Sequence, residues 1–107
     1  MIMISRYRVP DEDAGAFRSQ AHEAVAALAE QAGWMGGELV RSVDEHRLWA
    51  LVARFDGAGT LRRSLGAMPV RMAMMTIMQW AVDEPSVYEE LRPDDAGSGD
   101  LTLPGVR

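Results

Sequence analysis

Leu48-Trp49-Ala50-Leu51-Val52-Ala53 is a run that would be apolar on both faces of any strand it forms. A strand that alternates polar and apolar needs one cover, and a strand apolar on both sides needs two. The run belongs to the second arm, Arg47 to Phe55, of a predicted hairpin. Its first arm is Glu38 to Val43 and its turn is Asp44-Glu45-His46, a length and composition that hairpin loops favour. The rest of the chain must therefore supply covers for this arm, and the second cover is expected from another copy of the chain.

The flanking segments fit that demand. Met1 to Val9 reads as a first strand, with Met3, Ser5, Tyr7 and Val9 on one side and Ile2, Ile4, Arg6 and Arg8 on the other. Pro10 ends it, because proline cannot donate to a ladder. Asp11-Glu12-Asp13 is expected to cap a helix over Glu12 to Ala32. On that helix Phe17, Ala21, Ala24, Val25, Leu28 and Ala32 make the inward stripe, Arg18, Gln20, Glu23 and Glu30 lie on the wetter side, and Gly33 closes it. Asp56 or Thr60 is expected to cap a short helix over Leu61 to Leu65. Pro69 opens a second piece over Val70 to Ala81, with Val70, Met74, Ile77 and Ala81 inward. A last strand runs from Ser86 to Leu91.

Strand, helix, strand, strand, helix, strand is the split βαβ order of an α+β, ferredoxin-like sandwich with a four-stranded antiparallel sheet. Helices would cover one sheet face. The other is expected to pair with a second copy, since a large exposed apolar sheet face marks an interface. Residues 1–91 form the predicted domain. Residues 92–107 are rich in Pro, Gly, Ser and Asp and carry Leu101-Thr102-Leu103; by composition they are a flexible tail, or an arm packed on the partner subunit.

A chain of 107 residues is one domain with a modest core. Its net charge of −5 argues against nucleic acid or an anionic membrane as partner, since both demand a basic face. It has no cysteine, which excludes disulfides, thiolate metal sites and a cysteine nucleophile and fits a reducing compartment. No stretch has the length of a signal sequence or of the roughly 20 apolar residues of a membrane span. The expected location is cytoplasmic.

Phosphate loops, paired-histidine metal motifs and nucleophile elbows are missing, and Glu84, Glu89 and Glu90 show no metal-binding spacing. His46 lies in the polar turn and reads as solvated. His22, at the edge of the inward stripe, reads either as an ordinary half-exposed histidine or as an acid or base reaching a pocket between helix and sheet. Trp34, Trp49 and Trp80 are core aromatics or the walls of a cavity for a flat aromatic ligand. The methionines between Met68 and Met78, Met72 among them, admit the same two readings. Arg63 and Arg71 are solvated helix charges or partners for an anionic ligand oxygen, and Tyr7 can present its hydroxyl to the same cavity.

Several motifs carry a resemblance. They are Phe17 on the first turns of the long helix, Gly33-Trp34-Met35-Gly36-Gly37-Glu38-Leu39-Val40-Arg41, Arg54-Phe55-Asp56, and Asp83-Glu84-Pro85-Ser86-Val87-Tyr88-Glu89. Over residues 1–91 the chain resembles the antibiotic biosynthesis monooxygenase family of dimeric α+β barrels. The resemblance implies a homodimer joined through its sheet faces, with a ligand cavity in each subunit between sheet and helices. It also implies oxidation of an aromatic, polycyclic phenolic substrate by molecular oxygen without metal, flavin or haem. A haem-degrading branch uses an asparagine on the first strand and a tryptophan on the short helix, whereas this chain has no asparagine and carries Arg62-Arg63 on that helix. The residues placed around the cavity are Tyr7 and His22 for chemistry, and Trp34, Trp49, Arg63, Met72 and Trp80 for the substrate. The alternative is a non-catalytic binding or accessory protein of the same fold, and a third outcome is a cavity already filled by Trp49, Trp80 and the methionines.

Overall fold

The computed structural model describes residues 1–93. In chain order these are β1 (Ile2–Arg8), a 3-10 turn (Asp11–Asp13), α1 (Ala14–Ala29), β2 (Trp34–Arg41), β3 (Leu48–Phe55), α2 (Ala58–Gly66), α3 (Met68–Met75), a second 3-10 turn (Met78–Trp80) and β4 (Val87–Tyr88). The strands form one antiparallel sheet in the order β2-β3-β1-β4, which is the α+β, ferredoxin-like arrangement. Of the predicted tail, residues 94–107 lie outside the described residues, and Leu101-Thr102-Leu103 is among them.

Alternation along β3 separates the two faces. Trp49, Leu51, Ala53 and Phe55 are buried, while Leu48, Ala50, Val52 and Arg54 are only partly so. The buried set meets Met3, Tyr7 and Val9 of the first strand and Phe17, Ala21, Ala24 and Leu28 of α1, with Leu61, Val70 and Ile77 closing the core. Among the described residues nothing covers the opposite face. Ile2, Ile4, Arg6 and Arg8 of β1 register against Arg54, Val52, Ala50 and Leu48, and Glu38 and Val40 of β2 oppose Val52 and Ala50. The arm predicted to need two covers has one.

Several predicted boundaries move. The acidic residues before α1 do not cap it: Asp13 occupies the N-cap position without a side-chain cap bond. Stronger donors have claimed these carboxylates. Asp11 accepts from Arg47 at 3.1 Å and pairs with His46 at 3.0 Å, and Asp13 accepts from the Trp80 indole N–H at 3.2 Å. α1 stops at Ala29, so Ala32 is exposed rather than inward. Gly33 lies past the helix cap and makes the turn into β2 at φ 89°, a conformation glycine adopts without steric cost. A Cβ there would also sit 2.5 Å from Cβ of Thr60.

β2 begins at Trp34 and ends at Arg41, earlier than predicted at both ends, because residues 42–47 form a longer loop. Ser42 directs that loop by accepting from the backbone N–H groups of Asp44 and Glu45. Neither Asp56 nor Thr60 caps α2; Gly57 holds the N-cap position and the Thr60 hydroxyl donates to Asp56 at 2.6 Å. α3 ends at Met75 instead of continuing to Ala81. There the Thr76 hydroxyl donates to the Ala73 carbonyl at 2.7 Å, a local bond that competes with helix continuation. β4 shrinks to two residues because Pro85 and the irregular chain before it pair with β1 only at isolated points.

Candidate functional site

The space between helices and sheet is filled with rings. Phe17 is the centre, with its ring centroid 5.2 Å from Tyr7, 5.4 Å from Trp49 and 5.5 Å from Trp80. The contacts to Trp49 and Trp80 are edge-to-face and that to Tyr7 is tilted, geometries that suit the aromatic quadrupole. The Tyr7 hydroxyl accepts from Ser5 Oγ at 2.8 Å, and burial pushes its pKa up while the Ser5 bond opposes that. Tyr7 is thus a core residue with its hydroxyl already engaged. The methionines are not the filler: Met68, Met72, Met75 and Met78 are all more than half exposed, and only Met74 of the α3 group is partly buried against the core.

The residues selected from sequence do not share one place. Tyr7, Trp49 and Trp80 meet at Phe17. Trp34 stands at the far end of the hairpin, 5.8 Å edge-on to Phe55, and its ring lies over Gly37, where a Cβ would come within 2.5 Å of it. Arg63 is exposed in the last turn of α2, and Met72 is exposed on α3. Residues of α2 that do line a depression are Ala58, Leu61, Arg62 and Leu65, which with Met1 and Val87 enclose about 280 Å³. A further depression of about 340 Å³ lies beside Ser5, rimmed by the Arg6–Glu84 ion pair.

His22 does reach a recess shared by helix and sheet, although from outside the core. It is exposed, and with Arg18, Leu39, Val40, Arg41 and Trp49 it lines a depression of about 240 Å³. Arg18 and His22 are one helical turn apart on α1, so they share a face. Arg41 ends β2 directly opposite Trp49, and its guanidinium carbon sits 5.0 Å from the centroid of a Trp49 ring, cation–π distance. Val40, Arg41 and Trp49 also border an adjoining depression of about 230 Å³ with Arg6, Leu48 and Ala50. This corner combines the edge of an indole, an imidazole and two guanidinium groups. It can bind a flat ring and stabilise an oxyanion on it.

The corner brings together His22 and Trp49, both singled out from the sequence, with Arg18 and Arg41, which the sequence reading leaves out of the site. Arg18 lies on the wetter face of α1, as its place in the helical period requires. The available signal was its four-residue spacing from His22 together with the parity of Arg41, which follows Gly37 and Leu39 on the helix-facing side of β2.

The fold defines a class: this chain has the fold of antibiotic biosynthesis monooxygenase-type α+β proteins. Among solved structures, a point variant of SnoaB, a cofactor-independent oxygenase from Streptomyces nogalater, is similar at a TM-score of 0.72 and 17% identity, covering 86% of this chain and 94% of that one. A protein described as an antibiotic biosynthesis monooxygenase is similar at a TM-score of 0.73 and 10% identity, over 87% of this chain and 100% of its own. Rv0793 from Mycobacterium tuberculosis gives 0.70 and 15% identity, over 85% and 94%. No family model and no curated protein matches the sequence. Likeness at these identities carries the fold and leaves the reaction to be argued from the site. No helix among the described residues is long and apolar enough to cross a membrane.

Proposed function

We propose that the chain is a homodimeric, cofactor-independent oxygenase that oxidises a flat phenolic substrate bound at the His22–Trp49 corner. The observation that carries this reading is the meeting of His22, Arg18 and Arg41 on the edge of Trp49, in a fold shared with a cofactor-independent oxygenase. His22 takes the phenolic proton, and Arg18 and Arg41 hold the resulting phenolate. The electron-rich ring then reduces molecular oxygen. One oxygen atom enters the ring carbon para to the hydroxyl, that carbon loses its hydrogen, and the other oxygen atom leaves as water, so phenol and O2 balance quinone and H2O. Dimerisation uses the uncovered sheet face, where Arg6, Arg8 and Arg54 are each paired with a carboxylate of the same chain. The charge of −5 supports a small-molecule partner over nucleic acid or membrane. The lack of cysteine supports a cytoplasmic setting.

Oxygen uptake by the purified protein with phenolic and anthrone-like compounds tests the reaction. Uptake above background that falls at least tenfold in His22→Ala, as loss of a general base predicts, is the expected result. No uptake, or uptake indifferent to His22→Ala, overturns it. A second reading, a non-catalytic binder of flat ligands, is favoured by the ring cluster that fills the helix–sheet space. It predicts a melting shift with such ligands and no turnover.

A further inference from the structure

The basic residues of this chain are all arginine, with no lysine in the sequence, and their pairing is uneven. Arg6, Arg8, Arg47 and Arg54 each hold a carboxylate at 2.5–3.2 Å. Arg18 and Arg41 hold none among the described residues, and neither Asp nor Glu lines the depression they share with His22. In a protein with five more negative than positive charges, two guanidinium groups and an imidazole have been brought together from separate elements without a counter-ion. The two guanidinium charges repel each other, and an anion entering between them relieves that repulsion.

The wall fixes the shape of the anion's carrier. Trp49 is 6% exposed and is held edge-on by Phe17 at 5.4 Å and 62°, so its free edge is rigid. Arg41 lies over this indole. An arginine stacked on a ring keeps its in-plane N–H donors free, and their fork matches the two oxygens of a carboxylate. Leu39 and Val40 complete an apolar side. We infer that this depression is a binding site for an aromatic carboxylate, with the carboxylate engaged by Arg41 and Arg18 and the ring set against the free edge of Trp49 and against Leu39. A volume of about 240 Å³ suits one or two fused rings. This rests on the site of the proposed oxygenase and narrows its substrate to a phenolic ring that also bears an acid group.

Calorimetric titration with 2-naphthoate, beside its neutral isostere naphthalene-2-carboxamide, tests the inference apart from turnover. The carboxylate should bind roughly tenfold or more tightly than the amide, as a charge-assisted bond predicts, and should weaken as salt is raised. Arg18→Gln and Arg41→Gln should each erase that preference. Both side chains are exposed, and circular dichroism establishes that the variants remain folded. Equal affinity for acid and amide, or a preference that survives in the double variant, overturns the inference. Selective naphthoate binding without oxidation of any phenol leaves the site standing and removes the oxygenase. Oxidation of phenols that naphthoate neither competes with nor binds beside leaves the oxygenase and removes the acid-binding site.

Discussion

Two side chains show how close approach restricts this sheet. Gly37 lies on the helix-facing side of β2, beneath the Trp34 ring, and a Cβ there would collide with the Val52 carbonyl oxygen as well as with Trp34. The backbone oxygen cannot move without breaking the β2–β3 ladder. Gly37→Ala is therefore expected to destabilise by about 1–3 kcal/mol, the usual range for overpacking, and urea unfolding checks it. Tyr7 makes a different prediction. Burial raises its pKa, so the folded state holds the phenolic proton more tightly than the unfolded state does. Its contribution to stability is complete below the unfolded value of about 10 and is lost as pH rises towards the raised folded value. The melting temperature should fall above that pH, and Tyr7→Phe should flatten the decline. At neutral pH the same substitution should cost about 0.5–1.5 kcal/mol, through loss of the bond from Ser5. Gln20 supplies the opposite case: its Oε1 is buried and has no hydrogen-bond partner among the described residues. Gln20→Met is expected to be neutral or stabilising, since an unsatisfied polar atom disappears.

Among the elements, those with strong periodicity were legible and those held by single contacts were not. The inward stripe Phe17, Ala21, Ala24, Leu28 and the alternation of β3 follow directly from spacing, and both are buried as their periods require. The edge beside β1 had no such pattern. It is held by the Val82 N–H to Arg6 carbonyl bond, the Ile4 N–H to Ser86 carbonyl bond and a two-pronged Arg6–Glu84 pair at 2.6 and 2.7 Å, and a partner 78 residues away cannot be read from local order. The candidate site divides the same way. His22 was visible from its position beside the stripe, but its meeting with Arg41 depends on how α1 crosses β2. Arg6 lowers the Glu84 pKa, chiefly through their hydrogen bond. A carboxylate with a depressed folded pKa stabilises above the ordinary glutamate range, and that contribution disappears as pH falls through the lowered value. Glu84→Gln should thus weaken the acid dependence of stability and speed amide exchange at Val82 and Ile4, with hydrogen-exchange measurement as the check.

Assembly decides whether the uncovered face is a surface or an interface. Its centre is Ile4, Val52 and Ala50, flanked by Ile2, Leu48, Val40 and Tyr88, all partly or fully exposed in one copy. The surrounding arginines are neutralised within the chain, which lowers the cost of removing the face from water compared with leaving them unpaired. Two such faces pressed together would bury the second side of β3. Sedimentation at micromolar concentration should then give a mass near twice 11.8 kDa. Val52→Arg sets a guanidinium in the middle of the face. It touches nothing in the buried core, so the single subunit should still fold, whereas a desolvated unpaired charge should weaken association by about 3–5 kcal/mol, or roughly two to four orders of magnitude in dissociation constant. A folded wild-type monomer at that dilution would show that one cover is enough for β3, and would separate this chain's fold from the dimeric barrel its sequence resembles.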